Sequence, residues 1–222
     1  RKRYKMTALK SEAEIVVYAR VGNFDGLKQA DSVIEQHQLE LYLPSKCKNR
    51  VRRSISADGE IYEATVKTPK KSLGSDESSV AMSCVEENIP ATPGFFEAFK
   101  YIASKMFVKK RYFFNGEKTT VSKGDQKFDL PPIVYEVDVY ERHDGKIVEW
   151  CKIDIEVDEL LKAINSIPEL KGVDICLDIK IKDLPFVPQD AFIVGSENTD
   201  AQKRLVLKLW NEEYPHNPKG GA

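Results

Sequence analysis

The chain has 222 residues, of which 41% are hydrophobic and 31% are charged, so it can bury the core of one sizeable domain. Its 34 Lys and Arg residues nearly balance 35 Asp and Glu residues, which leaves a formal net charge of −1. This balance excludes a global field that would draw the whole molecule onto nucleic acid or a membrane surface. Any binding of anions must therefore come from local clusters of charge.

Short alternating segments, many flanked by turn residues, predict an α+β protein dominated by an antiparallel sheet or barrel. The predicted strands span residues 12–21, 38–44, 50–56, 61–67, 80–86, 108–114, 118–123, 133–142, 148–157 and 173–183. Helices are predicted over residues 24–36, 94–107, 157–166 and 199–214. We expect one domain over residues 1–214, followed by a flexible tail over 215–222.

The first predicted hairpin carries a cluster of cations. An Asp-Gly pair at 58–59 links two alternating runs, which favours a type I′ turn. With that pair as the turn, Arg50 faces Lys67 and Arg52 faces Thr65 on one side of the sheet. Like charges directly opposite each other destabilise a sheet, so the arrangement needs an anion. That anion is either a carboxylate of the protein or a ligand.

A second hairpin is predicted at residues 115–116, where Asn-Gly again separates two alternating runs. Its register would place Lys109 and Arg111 on the same face as Thr120 and Ser122. The two predicted hairpins would thus both be cationic on one face.

Two later strands carry carboxylates on one face. Glu136 and Asp138 share a face of "YEVDVYER", and Asp154 and Glu156 share a face of "KIDIEV". An ordinary half-solvated antiparallel sheet explains any one of these strands. Cationic and anionic strands in one chain favour instead a closed barrel with a polar lumen, a tunnel whose apolar outer faces are covered by helices.

The order of short motifs points to a known family. An acidic first strand precedes "QLELYLP", "RVR", "TVK", "KKRY", "YEVDVY" and "KIDIEV", and the chain ends with "GSENTDAQKRLVLKLW". This order resembles the CYTH superfamily, the triphosphate tunnel metalloenzymes, over nearly the whole chain. The ordered set, and the "RVR" and "TVK" hairpin in particular, is more specific than any single motif.

The resemblance implies a triphosphate in the lumen with a metal ion beside it. The implied phosphate-binding residues are Arg50, Arg52, Lys67, Lys109 and Arg111. The implied ligands of Mg²⁺ or Mn²⁺ are Glu12, Glu14, Glu136, Asp138, Asp154 and Glu156. Arginine binds phosphate oxygens in bidentate fashion, and Mg²⁺ or Mn²⁺ prefers hard oxygen ligands, which agrees with this division. The anion beside the first hairpin would then be a ligand phosphate.

The implied activity is metal-dependent hydrolysis of a triphosphate-bearing substrate, such as inorganic triphosphate, a nucleotide or an RNA 5′ end. The implied catalytic residues are Glu12, Glu14, Lys67 and Arg52. A nucleotidyl cyclase is the less favoured activity, because the sequence has no visible feature for recognition of adenine.

Two motifs depart from the family pattern. When Glu12 and Glu14 are aligned with the family's Glu-x-Glu-x-Lys strand, Val16 stands in the place of the lysine. An alternative alignment from Glu14 puts Val16 in the place of the second glutamate and Tyr18 in the place of the lysine, so the motif is incomplete either way. In "MSCVEE" Glu86 is the one residue that aligns convincingly with the family's Arg-x-Glu-x-Glu strand. A fold survives such losses better than catalysis does. The alternative function is therefore a non-catalytic module that binds nucleotide or polyphosphate, or a protein partner.

The spacing of the cysteines and the hydropathy of the chain predict the cellular compartment of the protein. The four cysteines lie far apart and form no CxxC motif, which is typical of reduced thiols in a cytosol-like compartment. No apolar run approaches the ~18 residues that a membrane-spanning helix requires. We therefore expect a cytoplasmic protein without a membrane partner.

Overall fold

The structure is a computed structural model that describes residues 10–42, 48–68, 71–72, 81–123, 125–142, 144–170, 181–188 and 193–194. Its strands are β1 (Lys10–Arg20), β2 (Ser32–Tyr42), β3 (Lys48–Ser56), β4 (Gly59–Lys67), β5 (Lys71–Ser72), β6 (Ala81–Pro90), β7 (Lys105–Asn115), β8 (Thr119–Lys123), β9 (Gln126–Leu130), β10 (Val134–Glu141), β11 (Ile147–Glu156) and β12 (Ile193–Val194). Helix α1 spans Pro93–Phe99 and helix α2 spans Asp158–Ser166. Short 3₁₀ helices span Phe24–Gln29, Pro168–Leu170 and Ile181–Asp183.

The architecture is a mainly antiparallel sheet with few helices, as the alternating sequence pattern predicts. Ten strands follow one another in the order β12-β1-β11-β10-β7-β2-β3-β4-β6-β5. Strand β1 pairs with β11 over residues 14–20 and also pairs with β6 over residues 10–15. Starting from β1, the strands β11, β10, β7, β2, β3, β4 and β6 pair one after another, and β6 pairs with β1 again. Strands β8 and β9 form a separate hairpin.

The larger apolar core lies on one face of β1, β10 and β11. Alternate residues of these strands, such as Ala19, Val137 and Ile153, are fully buried there. Helix α2 covers this face with Leu160, and the segment after the last 3₁₀ helix adds Phe186. Because strand side chains alternate, burying this apolar set directs the charged residues of the same strands to the opposite face.

The smaller core lies beneath α1. Thr92 caps this helix, since its hydroxyl oxygen accepts from the backbone N–H of Phe95 at 3.1 Å. The helix packs Phe96 against Leu39 of β2 and Val51 of β3. The apolar faces of β2 and β3 are thus covered in the same way, and their polar faces turn to the other side.

Two predicted helices are shorter than expected. In the region predicted as a helix over 24–36, Phe24–Gln29 is a 3₁₀ helix and β2 begins at Ser32. Strand β2 pairs with β3 on one edge and β7 on the other, and this pairing overrides the helical spacing of the sequence. The helix predicted over 94–107 ends at Phe99, because the chain enters β7 at Lys105.

The helix predicted over 157–166 is confirmed as α2, with Asp158 and Glu159 in its first turn, where carboxylates favour a helix N-terminus. In the region predicted as a strand over 173–183, the described part is the 3₁₀ helix Ile181–Asp183. The helix predicted over 199–214 and the tail over 215–222 lie outside the described residues. Within the described ranges, no helix combines the length and apolar character needed to cross a membrane.

The first hairpin forms, but its turn lies one residue earlier than predicted. Residues 57–58 are the turn, and Gly59 opens β4 with a φ of 121°, a backbone angle that glycine adopts more easily than other residues. The Asp-Gly pair is therefore split between turn and strand.

The earlier turn shifts the predicted pairing by two residues. Arg50 faces Thr65 and Arg52 faces Glu63, so Arg50 does not face Lys67 as predicted. A shift of two residues leaves every side chain on its predicted face, whereas a shift of one would exchange the faces. The predicted grouping of these basic residues on one face is therefore found.

The second predicted hairpin does not form. Strand β7 pairs with β2 and β10, while β8 pairs with β9. Both edges of β7 are occupied, so Thr120 and Ser122 are not strand partners of Lys109 and Arg111. Thr120 instead donates to Asp129 at 3.0 Å within the β8–β9 hairpin.

Candidate functional site

The face opposite the two cores, called here the polar face, carries charged and amide residues from seven strands. They are Gln36, Gln38, Glu40, Lys48, Arg50, Arg52, Glu63, Thr65, Lys67, Glu86, Asn88, Lys109, Arg111, Glu136, Asp138, Lys152, Asp154 and Glu156. Eight of them are buried, and five of those eight are charged: Glu40, Glu86, Lys109, Asp138 and Asp154. Enclosed charges must be paired or bound to a ligand.

An aromatic cluster occupies part of the same face. Phe107 and Tyr140 meet edge to face with ring centroids 5.9 Å apart, and Val148 completes the buried group. Tyr18 and Trp150 pack against it. The polar face therefore combines charged residues with an apolar surface formed largely by aromatic rings.

One group of charges, called here the Arg111 cluster, joins β7, β10 and β11. Its members are Lys109, Arg111, Glu136, Asp138, Lys152 and Asp154. The Arg111 guanidinium donates to Asp138 at 2.6 and 2.8 Å and to Asp154 at 3.4 Å, and it also contacts Glu136. Lys109 donates to Asp138, and Lys152 donates to Asp154. The carboxylates of this cluster are held by cations of the protein.

Burial and neighbouring charge act in opposite directions on the Arg111 cluster. Burial raises the pKa of Asp138, but Arg111 and Lys109 outweigh it and hold that pKa well below its usual value. Burial lowers the pKa of Lys109, and the nearby positive charge of Arg111 lowers it further against the attraction of Asp138. Asp138 is therefore the carboxylate that Arg111 and Lys109 both contact and keep ionised.

A second group, called here the Arg52 cluster, joins β3, β4 and β6. Its members are Arg50, Arg52, Glu63, Lys67 and Glu86, and Lys48 beside them contacts Glu40 of β2. Arg50 contacts Glu86 at 3.0 Å, and Lys67 contacts the same carboxylate. Arg52 contacts Glu63 at 2.7 Å. The anions beside the first hairpin are thus carboxylates of the protein in this structure.

Arg52 lies in a strongly positive environment. Burial lowers its pKa, and the charges of Arg50 and Arg111 lower it further, against the attraction of Glu63. Its Nε atom is buried and has no hydrogen-bond acceptor in the described part of the chain. One N–H of this guanidinium is therefore available to an additional acceptor.

The carboxylates of the Arg111 cluster do not fit a metal ion. Glu136, Asp138 and Asp154 all contact Arg111, so an ion among them would lie beside a fixed positive charge. Among the residues described, no group of three or more His, Cys, Asp or Glu side chains is placed to hold a metal.

The remaining predicted metal ligands lie on β1 and at the end of β11. Glu14 is the strand partner of Glu156, and Glu12 is the strand partner of Cys84. The side chains of Glu12 and Glu14 lie outside the described part of the structure. Their role as metal ligands stays a prediction. Val16, which the resemblance aligns with the lysine of the CYTH pattern, is the strand partner of Asp154.

The structure adds site residues that the sequence did not single out. Gln36, Gln38 and Glu40 belong to β2, whose first half was predicted as helix. Glu63 of β4 was not among the predicted site residues, and it contacts Arg52. The alternation in "SVIEQHQLELY" was the signal that could have placed the glutamines on a strand.

Three solved structures of Pyrococcus proteins are similar to this chain at low identity. PH1819 of Pyrococcus horikoshii OT3 is 17% identical with a TM-score of 0.41, over 71% of this chain and 86% of that one. PH1012 of the same organism is 18% identical with a TM-score of 0.40, over 71% and 90%. A conserved hypothetical protein from Pyrococcus furiosus is 18% identical with a TM-score of 0.39, over 72% and 87%. No protein-family model and no curated protein matches the chain.

Proposed function

We propose that the protein binds the phosphate chain of a triphosphate-bearing small molecule or nucleotide at the Arg52 cluster. Arg50, Arg52 and Lys67 would contact phosphate oxygens, as the sequence predicts. Lys109 and Arg111 would contribute positive charge from the neighbouring strands. Glu63, whose side chain is 30% exposed, would exchange with phosphate as the partner of Arg52, while the buried Glu86 would stay paired with Arg50 and Lys67.

One observation carries this proposal. Arg52 retains a buried Nε–H without an acceptor in the described residues, while Arg50 and Arg111 make its surroundings positive. An arginine fork binds phosphate in bidentate fashion through Nε and an Nη group, so a phosphate would satisfy this donor.

We also propose the enclosing shape, a CYTH-like tunnel barrel of eight strands. Its support is the series of strand pairs that leaves β1 through β11 and returns through β6. The burial of Glu86, Asp138 and Asp154 on the polar face also favours a lumen over a solvated sheet. A cytoplasmic location is part of the same proposal.

The test is titration calorimetry with sodium tripolyphosphate. Arg52→Met should weaken binding at least tenfold, because it removes both charge and bidentate donors while keeping an unbranched side chain. Arg53→Met is the matched control, since Arg53 lies on the opposite face and contacts Glu60 at 2.5 Å. Equal affinities for Arg52→Met and the unaltered protein would exclude the proposed site.

Metal-dependent hydrolysis is the second candidate function. The strand partnership of Glu14 with Glu156 favours it, because two carboxylate residues directly opposite each other suit a divalent cation. The substrates to test with Mg²⁺ or Mn²⁺ are inorganic triphosphate, nucleoside triphosphates and RNA with a 5′ triphosphate. Phosphate release that is abolished by chelation and by Glu14→Gln would establish hydrolysis. Binding without phosphate release would establish the non-catalytic module.

A further inference from the structure

We infer that the site prefers nucleoside triphosphates to inorganic triphosphate, because buried amide oxygens of β2 can accept hydrogen bonds that a nucleoside donates and inorganic triphosphate does not. This inference rests on the proposed function and names the class of ligand. The amide oxygens belong to Gln36 and Gln38, which are 4% and 5% exposed. Neither Oε1 atom has a donor in the described part of the chain.

The contact with an acceptor-only carboxylate fixes the orientation of the Gln38 amide, whereas the Gln36 amide contacts a hydroxyl. Gln38 Nε2 donates to Glu40, which directs the amide oxygen of Gln38 away from that carboxylate. Gln36 Nε2 donates to the hydroxyl of Ser54 at 3.5 Å. Buried amide oxygens are normally hydrogen-bonded in proteins, and a buried acceptor without a donor lowers stability.

The two glutamines lie next to the proposed phosphate site. Gln38 is the strand partner of Arg52 across the β2–β3 pair, and Gln36 is the strand partner of Ser54. Arg50 lies one step further along β3, opposite Glu40. If the terminal phosphate lies at Arg50 and the esterified phosphate lies at Arg52, the ester end is beside the glutamines.

A phosphate cannot satisfy the amide oxygens. Ionised phosphate oxygens accept hydrogen bonds and do not donate them, so inorganic triphosphate supplies an acceptor for Arg52 but no donor for Gln36 or Gln38. The hydroxyls of ribose and the N–H groups of a nucleobase are donors of the required kind.

Two of the neighbouring rings, Tyr18 and Trp150, are only partly buried and would offer surface for a base. Phe107 is the strand partner of Gln38 across the β2–β7 pair and packs with Tyr140. Tyr18 and Trp150 extend the same aromatic cluster. Bases stack on aromatic side chains, so amide acceptors beside aromatic rings have the chemistry of a base subsite. The phosphates would occupy the cationic end, and the nucleoside would occupy the end formed by the glutamines and rings.

The first experiment uses the unaltered protein. Titration calorimetry in EDTA compares the four ribonucleoside triphosphates with methyl triphosphate, which has an equivalent esterified triphosphate but no nucleoside donors. We expect at least one nucleotide to bind at least tenfold more tightly than methyl triphosphate. Equal affinities for all five compounds would overturn the inference while leaving the phosphate site intact. Failure of the nucleotides, methyl triphosphate and tripolyphosphate to bind would instead overturn the proposed function.

The second experiment removes one amide. Gln38→Leu should lower the affinity for the preferred nucleotide about tenfold and leave the affinity for tripolyphosphate within twofold. Gln29→Leu is the matched control, because Gln29 is exposed at the end of a 3₁₀ helix. Thermal unfolding checks that the variant is folded, and Gln36→Leu replaces it if it is not. A nucleotide affinity that neither folded variant alters would contradict the inference.

Discussion

The two charge clusters of the polar face differ in how fully the protein satisfies its own cations. In the Arg111 cluster, one guanidinium contacts three carboxylates, and Asp138 accepts from both Arg111 and Lys109 with 1% of its side chain exposed. In the Arg52 cluster, Arg52 contacts Glu63, whose side chain is 30% exposed, and retains an N–H without an acceptor in the described residues.

From this difference we infer that the Arg111 cluster stabilises the fold and the Arg52 cluster binds the ligand. Removing one partner from a closed, buried network leaves uncompensated charge, so the Arg111 cluster is expected to stabilise the fold. A partly exposed ion pair contributes little to stability, so Glu63 can give way to another anion at small cost. The comparison therefore predicts large effects on stability at one cluster and effects on binding at the other.

The largest effect is expected from Asp138→Asn. The substitution leaves Arg111 and Lys109 buried with less negative charge and should lower the free energy of unfolding by about 3 to 5 kcal/mol. Urea denaturation measures this change. Asp25→Asn is the control, because Asp25 forms an exposed pair with Lys28, and it should leave the urea midpoint unchanged. Equal midpoints for the two variants would show that the Arg111 cluster does not stabilise the fold.

Acid titration should distinguish Asp138 from ordinary carboxylates. Its pKa is lowered in the folded protein, so its contribution to stability is complete above the unfolded value of about 3.9 and is lost as pH falls through the lower folded value. The ¹³C carboxyl resonance of Asp138 should thus keep its ionised chemical shift at pH 3, where a typical exposed aspartate is mostly protonated. A midpoint near 4 would contradict the proposed balance of burial and charge.

Much of the polar face could be predicted because alternation along a strand survives errors of register. The turn at 57–58 moved the pairing of the first hairpin by two residues, yet Arg50 and Arg52 kept their face. Glu136, Asp138 and Asp154 were likewise placed on the correct face of β10 and β11 by alternation alone.

The partners of these residues could not be predicted in the same way. Contacts such as Arg50 with Glu86 and Arg111 with Asp154 join residues far apart in sequence, and strand order decides them. Gln36 was missed for a different reason, because the first half of the β2 segment also fits a helical spacing, whereas Gln38 lay within the predicted strand 38–44 without being singled out. Pairing with β3 and β7 selects the strand.

Introducing a lysine at Val16 should test whether the two clusters face the same ligand. Val16 is the strand partner of Asp154, so Val16→Lys adds an ammonium beside the Arg111 cluster. One charge-assisted hydrogen bond to phosphate should raise the affinity for tripolyphosphate about tenfold. Val33→Lys is the control, since Val33 is 47% exposed on the other face of β2. An increase for Val33→Lys of the same size would indicate general attraction, and no increase for Val16→Lys would place the ligand away from β1.

The smallest effect is expected from Glu63→Gln, and it tests the central difference between the clusters. If Glu63 competes with phosphate for Arg52, removing its charge should raise the affinity for tripolyphosphate about threefold in calorimetry. The loss of this partly exposed pair should reduce the free energy of unfolding by no more than about 1 kcal/mol. Glu60→Gln is the matched control, because Glu60 pairs with Arg53 on the opposite face and should not alter binding. A weaker affinity for Glu63→Gln would mean that Glu63 orients Arg52 for the ligand, and the Arg52 cluster would then depend on its carboxylate as the Arg111 cluster does.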